Sequence, residues 1–176
     1  ILGQPTALRA VLNAIELKRS ELLERFKRKP KNAVFNGCGS SYYLALSASS
    51  IFRRLVKVNA IGLPSSEVFL YPTMFFGDTL LISISRSGET TETILAAKFA
   101  KGERKAKVLA ITCYEESELA KNSDVNIVSP EGKEKSVVMT RSFTSMLVAT
   151  QAVSAILSEN AVSYTHLRAH ETGRNL

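Results

Sequence analysis

The chain has 176 residues, 45% of them hydrophobic, and a formal net charge of +7. That length and apolar content suffice for one globular domain with its own core. No apolar run reaches the roughly 20 residues of a membrane span and the first residues lack a signal-peptide pattern, so a cytoplasmic protein is expected.

The opening reads as one long amphipathic helix. Leu8, Val11, Leu12, Ile15, Leu22, Leu23 and Phe26 recur at helical spacing, Pro5 fits a first-turn position and Pro30 ends the run. The basic cluster Arg25–Lys31 falls where this helix stops, and cations there complement the negative end of the helix dipole. No zinc-finger, basic-zipper or RNA-recognition signature accompanies it, so a solvated helix end is the reading and no nucleic-acid partner is expected.

Short apolar runs then alternate with helical stretches. Strands are expected at 33–37, 56–62, 79–85, 107–113 and 124–129. Helices are expected at about 41–55, over a short stretch from Ser65, at about 90–101 and at about 143–157. Strands apolar on both faces and separated by helices imply a parallel sheet covered on both sides. The expected fold is therefore doubly wound α/β, with five parallel strands. Cys38 and Cys113 are too few for a disulfide framework or a four-ligand zinc site, and free thiols are expected.

The last residues, 161–176, break the preceding periodicity and read as foreign to a domain spanning 1–160. Both histidines, His166 and His170, lie there, spaced four apart with no supporting carboxylate or cysteine ligand pattern, and metal binding is not expected. The domain itself then holds no histidine, which excludes Ser-His-Asp and Cys-His catalysis within it.

In open α/β sheets ligands bind beyond the carboxyl ends of the strands. Three such places share one character here: Gly37–Tyr43 after the first strand, Ser85–Thr93 after the third, and Glu134–Ser145 after the fifth are small-residue or hydroxyl-rich stretches that open helices. A helix start presents free N–H groups and a partial positive charge, and hydroxyls add further donors. Any one of these stretches could be an ordinary N-cap, but three at one edge point to a phosphate on a small polar molecule. The dinucleotide fingerprint fails, because Tyr42 stands where its third glycine should be and Asn59 and Ala60 stand where the acid should be. No Gly-Lys-Ser/Thr P-loop ending occurs either, so no cofactor is expected.

Together the stretches GCGSSYYLA, ISRSGETTET and SVVMTRSFTSM, in that order and spacing, resemble the sugar isomerase (SIS) domain, a family that binds phosphosugars. The likeness covers roughly residues 1–160. Within the family it is nearest to two-SIS-domain enzymes of the glucosamine-6-phosphate deaminase and galactosamine-6-phosphate isomerase type, and to the isomerase half of glutamine–fructose-6-phosphate aminotransferase. Met139 and Arg141 depart from the aminotransferase form, which usually has serine and lysine there. The resemblance implies phosphate contacts from Ser85, Ser87 and Thr90, with backbone help from Arg86 and Gly88. It further implies that Ser41 touches the sugar-phosphate side, that Gly39 and Ser40 shape the turn presenting it, and that Val137 and Thr140 line the pocket.

Proton transfer next to a carbonyl needs a carboxylate or imidazole in reach. Glu67, Glu89 and Glu134 are the acids near the expected ligand edge. Glu89 reads as a first-turn charge, and Glu134, in a loop, is the one catalytic candidate. In the resembled enzymes the acid and base come mostly from a second SIS domain and a neighbouring subunit, so this chain by itself is expected to lack them. The resemblance thus implies a phosphorylated hexose or hexosamine as ligand, a second SIS domain or a homodimer as partner, and the N-terminal half of an aminosugar-phosphate isomerase or deaminase. The alternative is a phosphosugar-sensing regulatory module without catalysis.

Overall fold

The computed structural model describes residues 3–71, 78–158 and 169. The segment 161–176, set apart by its sequence, lies outside these apart from Ala169. Five strands run parallel in the order β2-β1-β3-β4-β5: β1 Asn32–Gly37, β2 Asn59–Pro64, β3 Thr79–Ile84, β4 Lys107–Thr112 and β5 Val125–Val128. The register sets Asn36 of β1 beside Leu63 of β2 and Ser83 of β3, and Ile84 of β3 beside Ile111 of β4.

Each inner strand is buried along nearly its whole length and divides its side chains between two cores, as the alternation of a β-strand requires. On one face Ala33, Phe35, Leu80, Ile82, Ile84, Leu109 and Ile111 pack with Val11, Ile15, Leu44, Phe52, Met146 and Val153. These come from helices α1 (Gln4–Leu17), α3 (Ser40–Val56) and α7 (Arg141–Leu157). On the other face Val34, Leu81, Val108 and Ala110 meet Val68, Ala96, Ala97, Ala100 and Leu119, from α4 (Ser65–Leu70), α5 (Thr91–Gly102) and α6 (Glu118–Lys121). The doubly wound parallel sheet read from the sequence is thus the fold. Among the described residues no helix is long and apolar enough to cross a membrane.

Three boundaries differ from the sequence reading. The opening helix is two, α1 and α2 (Arg19–Arg25), joined at Lys18, whose N–H reaches the carbonyls of both Ala14 and Ile15. The turn leaves Leu17 at the surface while Leu22 and Phe26 are buried. Beyond it Arg25 bonds Asp124 at 3.0 Å and Lys107 donates to the Arg25 carbonyl at 2.6 Å, so α2 is tied to the start of β4 and β5. The second strand begins at Asn59, because Val56 is still helical and Lys57 closes α3 in the left-handed region at φ 62. Helix α6, unforeseen in the sequence, sits between β4 and β5 and is capped by the Ser117 hydroxyl.

Candidate functional site

At the carboxyl edge the chain leaves β1 toward β2 on one side, while β3, β4 and β5 build outward on the other. The crevice at this reversal is the place where open α/β sheets receive ligands. The turns after β1 and β3 stand there side by side, near enough for Cys38 Sγ to lie 3.7 Å from Thr93 Oγ1.

The first turn brings α3 down hard on β1. A Cβ on Gly37 would lie 2.6 Å from the Ser41 carbonyl group, so only glycine admits this approach. Gly39 is the N-cap residue of α3, with φ 53, and has no side chain with which to cap it. Gly39 and Ser40 are exposed, whereas Ser41 is buried and its N–H bonds the Cys38 carbonyl at 3.0 Å.

The second turn is built around Ser85. Its buried hydroxyl accepts from the Gly88 N–H at 3.1 Å and pairs with Thr90 Oγ1 at 3.1 Å. Thr90 is the N-cap residue of α5, yet its hydroxyl turns inward to Ser85 and makes no cap bond. The Ser87 hydroxyl accepts from the Glu89 N–H at 3.1 Å. The Arg86 carbonyl takes the Cys113 N–H and the Thr112 hydroxyl, which fastens the turn to the end of β4. Gly88 has φ +68, and a Cβ there would come within 2.2 Å of Ser117 Oγ. Neither α3 nor α5 has a side-chain cap; the N–H groups of Ser41, Tyr42 and Thr93 turn to the carbonyls of Cys38, Gly39 and Thr90, which leaves those of Ser40, Thr91 and Glu92 as the first-turn donors for a ligand. Their partial positive charges point at one crevice.

The third hydroxyl-rich stretch is arranged differently. The Glu134 carboxylate reaches back over the start of α7 and accepts from the N–H of Thr140 at 2.8 Å, of Arg141 at 3.2 Å and of Ser142 at 3.3 Å. It also accepts from the hydroxyls of Thr140, at 2.7 Å, and Ser142. Burial opposes its ionisation, but the hydrogen bonds from Ser142 and Thr140 prevail and bring the carboxyl down to about 2. The chain thus supplies its own anion to α7, and the Thr140 hydroxyl is engaged with it. Glu134 is held as a saturated carboxylate, the reverse of what a general base needs. Val137 is 91% exposed, and its carbonyl together with that of Ser136 accepts from the Arg86 guanidinium at 3.4 and 2.8 Å. Of the other acids, Glu89 accepts from the Glu118 N–H at 2.9 Å and so caps α6, where the sequence suggested a first-turn charge of α5. Glu67 is in the first turn of α4.

On the β4 side of the Ser85–Thr90 turn lies a cavity of about 570 Å³, bordered by Arg86, Ser87, Glu89, Tyr114, Lys133 and Glu134 among others. Its volume suits a small molecule. Arg86 and Ser87 belong to it, while Ser41, Ser85 and Thr90 are not in its lining. Among the described residues no group of three His, Cys, Asp or Glu side chains could hold a metal ion.

Residues 28–156 match the SIS domain family. The chain is 35% identical over 153 residues to the glutamine–fructose-6-phosphate aminotransferase of Pyrobaculum aerophilum, covering 87% of itself and 25% of that protein. Among solved structures it resembles the glucosamine-6-phosphate deaminase of Thermotoga maritima, with 31% identity, a TM-score of 0.69, and coverage of 93% of this chain and 54% of that one. The tagatose-6-phosphate ketose/aldose isomerase of Escherichia coli superposes with a TM-score of 0.79 at 26% identity, over 97% of this chain and 50% of the other. The chain thus spans about a quarter of the length of the curated relative and about half of each solved one. Matched over most of its length, with the fold and strand-end turns described above, the chain belongs to the SIS domain family.

Proposed function

We propose that this chain is the phosphosugar-binding domain of an aminosugar-phosphate isomerase or deaminase that interconverts glucosamine 6-phosphate and fructose 6-phosphate. The observation that carries the reading is the pair of helix N-termini, α3 and α5, left open by their N-cap side chains at the β1/β3 reversal. The names of the relatives, an aminotransferase that makes an amino sugar phosphate and a deaminase that consumes one, support the same substrate class.

In this reading the phosphate lies over the first turn of α5, among the N–H groups and hydroxyls of the Ser85–Thr90 turn. Gly39, Ser40 and Ser41 close the other side, and Val137 and Thr140 stand in the loop beyond. Each hydrogen bond to the charged phosphate contributes about 1.5–3 kcal/mol. After the cost of association, several of them give micromolar to millimolar binding. The acid and base of the isomerisation come from a second SIS domain paired with this one, 1–160 being the first of the pair, or from a second copy. Nothing on the Glu134 carboxylate suits it to that task, for the five donors it accepts oppose protonation.

Calorimetric titration with glucosamine 6-phosphate and with free glucosamine tests the proposal. The double variant Ser87→Ala/Thr90→Val should weaken the phosphosugar at least about tenfold, the worth of one hydrogen bond to a charged group, and leave the free sugar's weak binding nearly unchanged. Equal losses for both ligands would contradict the phosphate assignment.

A further inference from the structure

A chain of polar side chains is buried directly beneath the crevice, on the sheet face that carries α4 and α5. Ser83 of β3 donates to Asn36 Oδ1 of β1 at 2.7 Å, Asn36 Nδ2 donates to Ser65 Oγ at 3.0 Å, and Ser65 Oγ lies 3.0 Å from Thr93 Oγ1. Thr93 Oγ1 is in turn 3.7 Å from Cys38 Sγ in the turn after β1. All four of Asn36, Ser65, Ser83 and Thr93 are fully buried. On either side of them the same sheet face is apolar, with Val34, Leu81 and Ala110.

Polar groups in such a place cost stability unless every partner is in position, and an apolar substitute of the same volume would serve the core as well or better. What the polar set adds is a fixed mutual placement of the elements it joins. It joins β1, β3, the start of α4 and the first turn of α5, and it ends at the β1–α3 turn. Thr93 is the junction. It is the third residue of α5, and its one hydroxyl faces both Ser65 and Cys38.

We infer that Thr93 is a positioning residue: through Ser65 and Cys38 its hydroxyl locks the first turn of α5 against the β1–α3 turn and keeps the two open helix N-termini aimed at one anion. The inference rests on the phosphosugar reading for its consequence, but the lock itself is a property of the ligand-free chain. Thr93→Val removes the hydroxyl at nearly unchanged shape, and Thr93→Ser retains it. In the ligand-free full chain, Thr93→Val should speed amide hydrogen exchange in residues 38–42 and 87–94 about tenfold relative to the β4 amides, the scale of one lost buried hydrogen bond. It should also weaken glucosamine 6-phosphate by about the same factor, while Thr93→Ser stays within about twofold of the parent in both measurements.

Acceleration shared equally by β4 and the turns would mark a merely structural role and overturn the inference. Thr93→Val behaving like the parent, or Thr93→Ser failing as badly as Thr93→Val, would also overturn it. Should Thr93→Val not fold, Ser65→Ala breaks the same link from the α4 side and carries the same expectation. If the parent chain binds no glucosamine 6-phosphate, the functional reading falls, and the exchange pattern still decides whether Thr93 locks the turn.

Discussion

Replacing Gly88 by alanine tests how tightly the Ser85–Thr90 turn is built. Gly88 sits at φ +68, where a Cβ costs roughly 1–2 kcal/mol for a non-glycine residue. The added methyl would also lie 2.2 Å from Ser117 Oγ, 2.4 Å from Ser117 Cβ and 3.0 Å from Thr112 Oγ1. Rotating the serine hydroxyl relieves only the first of these contacts, so the start of α6 must shift. Ser117 caps α6 and donates to the Tyr114 carbonyl at 2.8 Å, and losing such a cap costs about 1 kcal/mol. The sum is about 2–3 kcal/mol of lost stability, within the roughly 1–3 kcal/mol that overpacking costs in other cores. Denaturant unfolding measures it, with Ser117→Gly as the partner variant in a double-mutant cycle. Glycine at a cap position costs only a few tenths of a kcal/mol, so in that background Gly88→Ala should cost only the roughly 1–2 kcal/mol of backbone strain. A Gly88→Ala loss within about 0.5 kcal/mol, the ordinary scatter of surface substitutions, or no recovery in the Ser117→Gly background, would refute the close approach of α6 to the turn.

Glu134 should make stability depend on acid. Its carboxyl is depressed to about 2 in the fold, so its contribution is fully present above the ordinary carboxylate range near 4.5 and is lost as pH falls toward 2. Glu134→Gln should therefore be less stable than the parent at neutral pH, with the gap in denaturant midpoint narrowing below pH 4; a gap independent of pH would contradict the bonding described. Arg86→Ala removes the guanidinium that holds the Ser136 and Val137 carbonyls, and trypsin should then cut after Lys133 and Lys135 faster than in the parent; unchanged cutting would remove Arg86 as the tether. Cys113 is fully buried, and burial pushes its thiol up to about 12, whereas Cys38 is half-buried in the β1–α3 turn. A disulfide reagent at pH 8 should modify Cys38 in the folded chain and reach Cys113 only on unfolding, and rapid modification of both would contradict the packing.

Much of this fold was legible because its strands are buried on both faces. Val34, Phe35, Leu81, Ile82, Leu109 and Ile111 form continuous apolar runs that admit only a sheet covered twice, and helical periodicity between them fixes the order of elements. Boundaries were lost where a residue acts against its local signal. Val56 and Val58 suggest a strand, yet Val56 closes α3 against the core, and Lys57 takes the left-handed turn that glycine usually announces. The break at Lys18 has neither proline nor glycine beside it; it follows from α2 being drawn to β4 and β5 through Arg25, Lys107 and Asp124, which no window of sequence contains. At the crevice, the hydroxyl-rich turns after β1 and β3 could be found by composition. The closing of the third could not, because a capping carboxylate is sought at the helix's own first turn and Glu134 lies seven residues before Arg141. Asn36, Ser65 and Ser83 were equally hidden, each reading as an ordinary strand or helix position, and Thr93, though inside the hydroxyl-rich stretch, gave no sign of facing them until the sheet brings them together.

The difference among the three helix starts narrows where an anion can go. Helix α7 already holds a full negative charge in contact with three N–H groups and two hydroxyls, so its favourable end is spent. A phosphate placed there would meet a like charge, and the N–H groups and hydroxyls of the helix start already serve Glu134. The starts of α3 and α5 have no such occupant from their N-cap residues, and the paired Ser85 and Thr90 hydroxyls keep one proton between them to donate to an incoming group. Glu134 therefore acts on the crevice from outside it. By fixing the loop that also hangs from Arg86, it keeps its carboxylate on α7, so the starts of α3 and α5 are the helix ends whose favourable field is left to an anion.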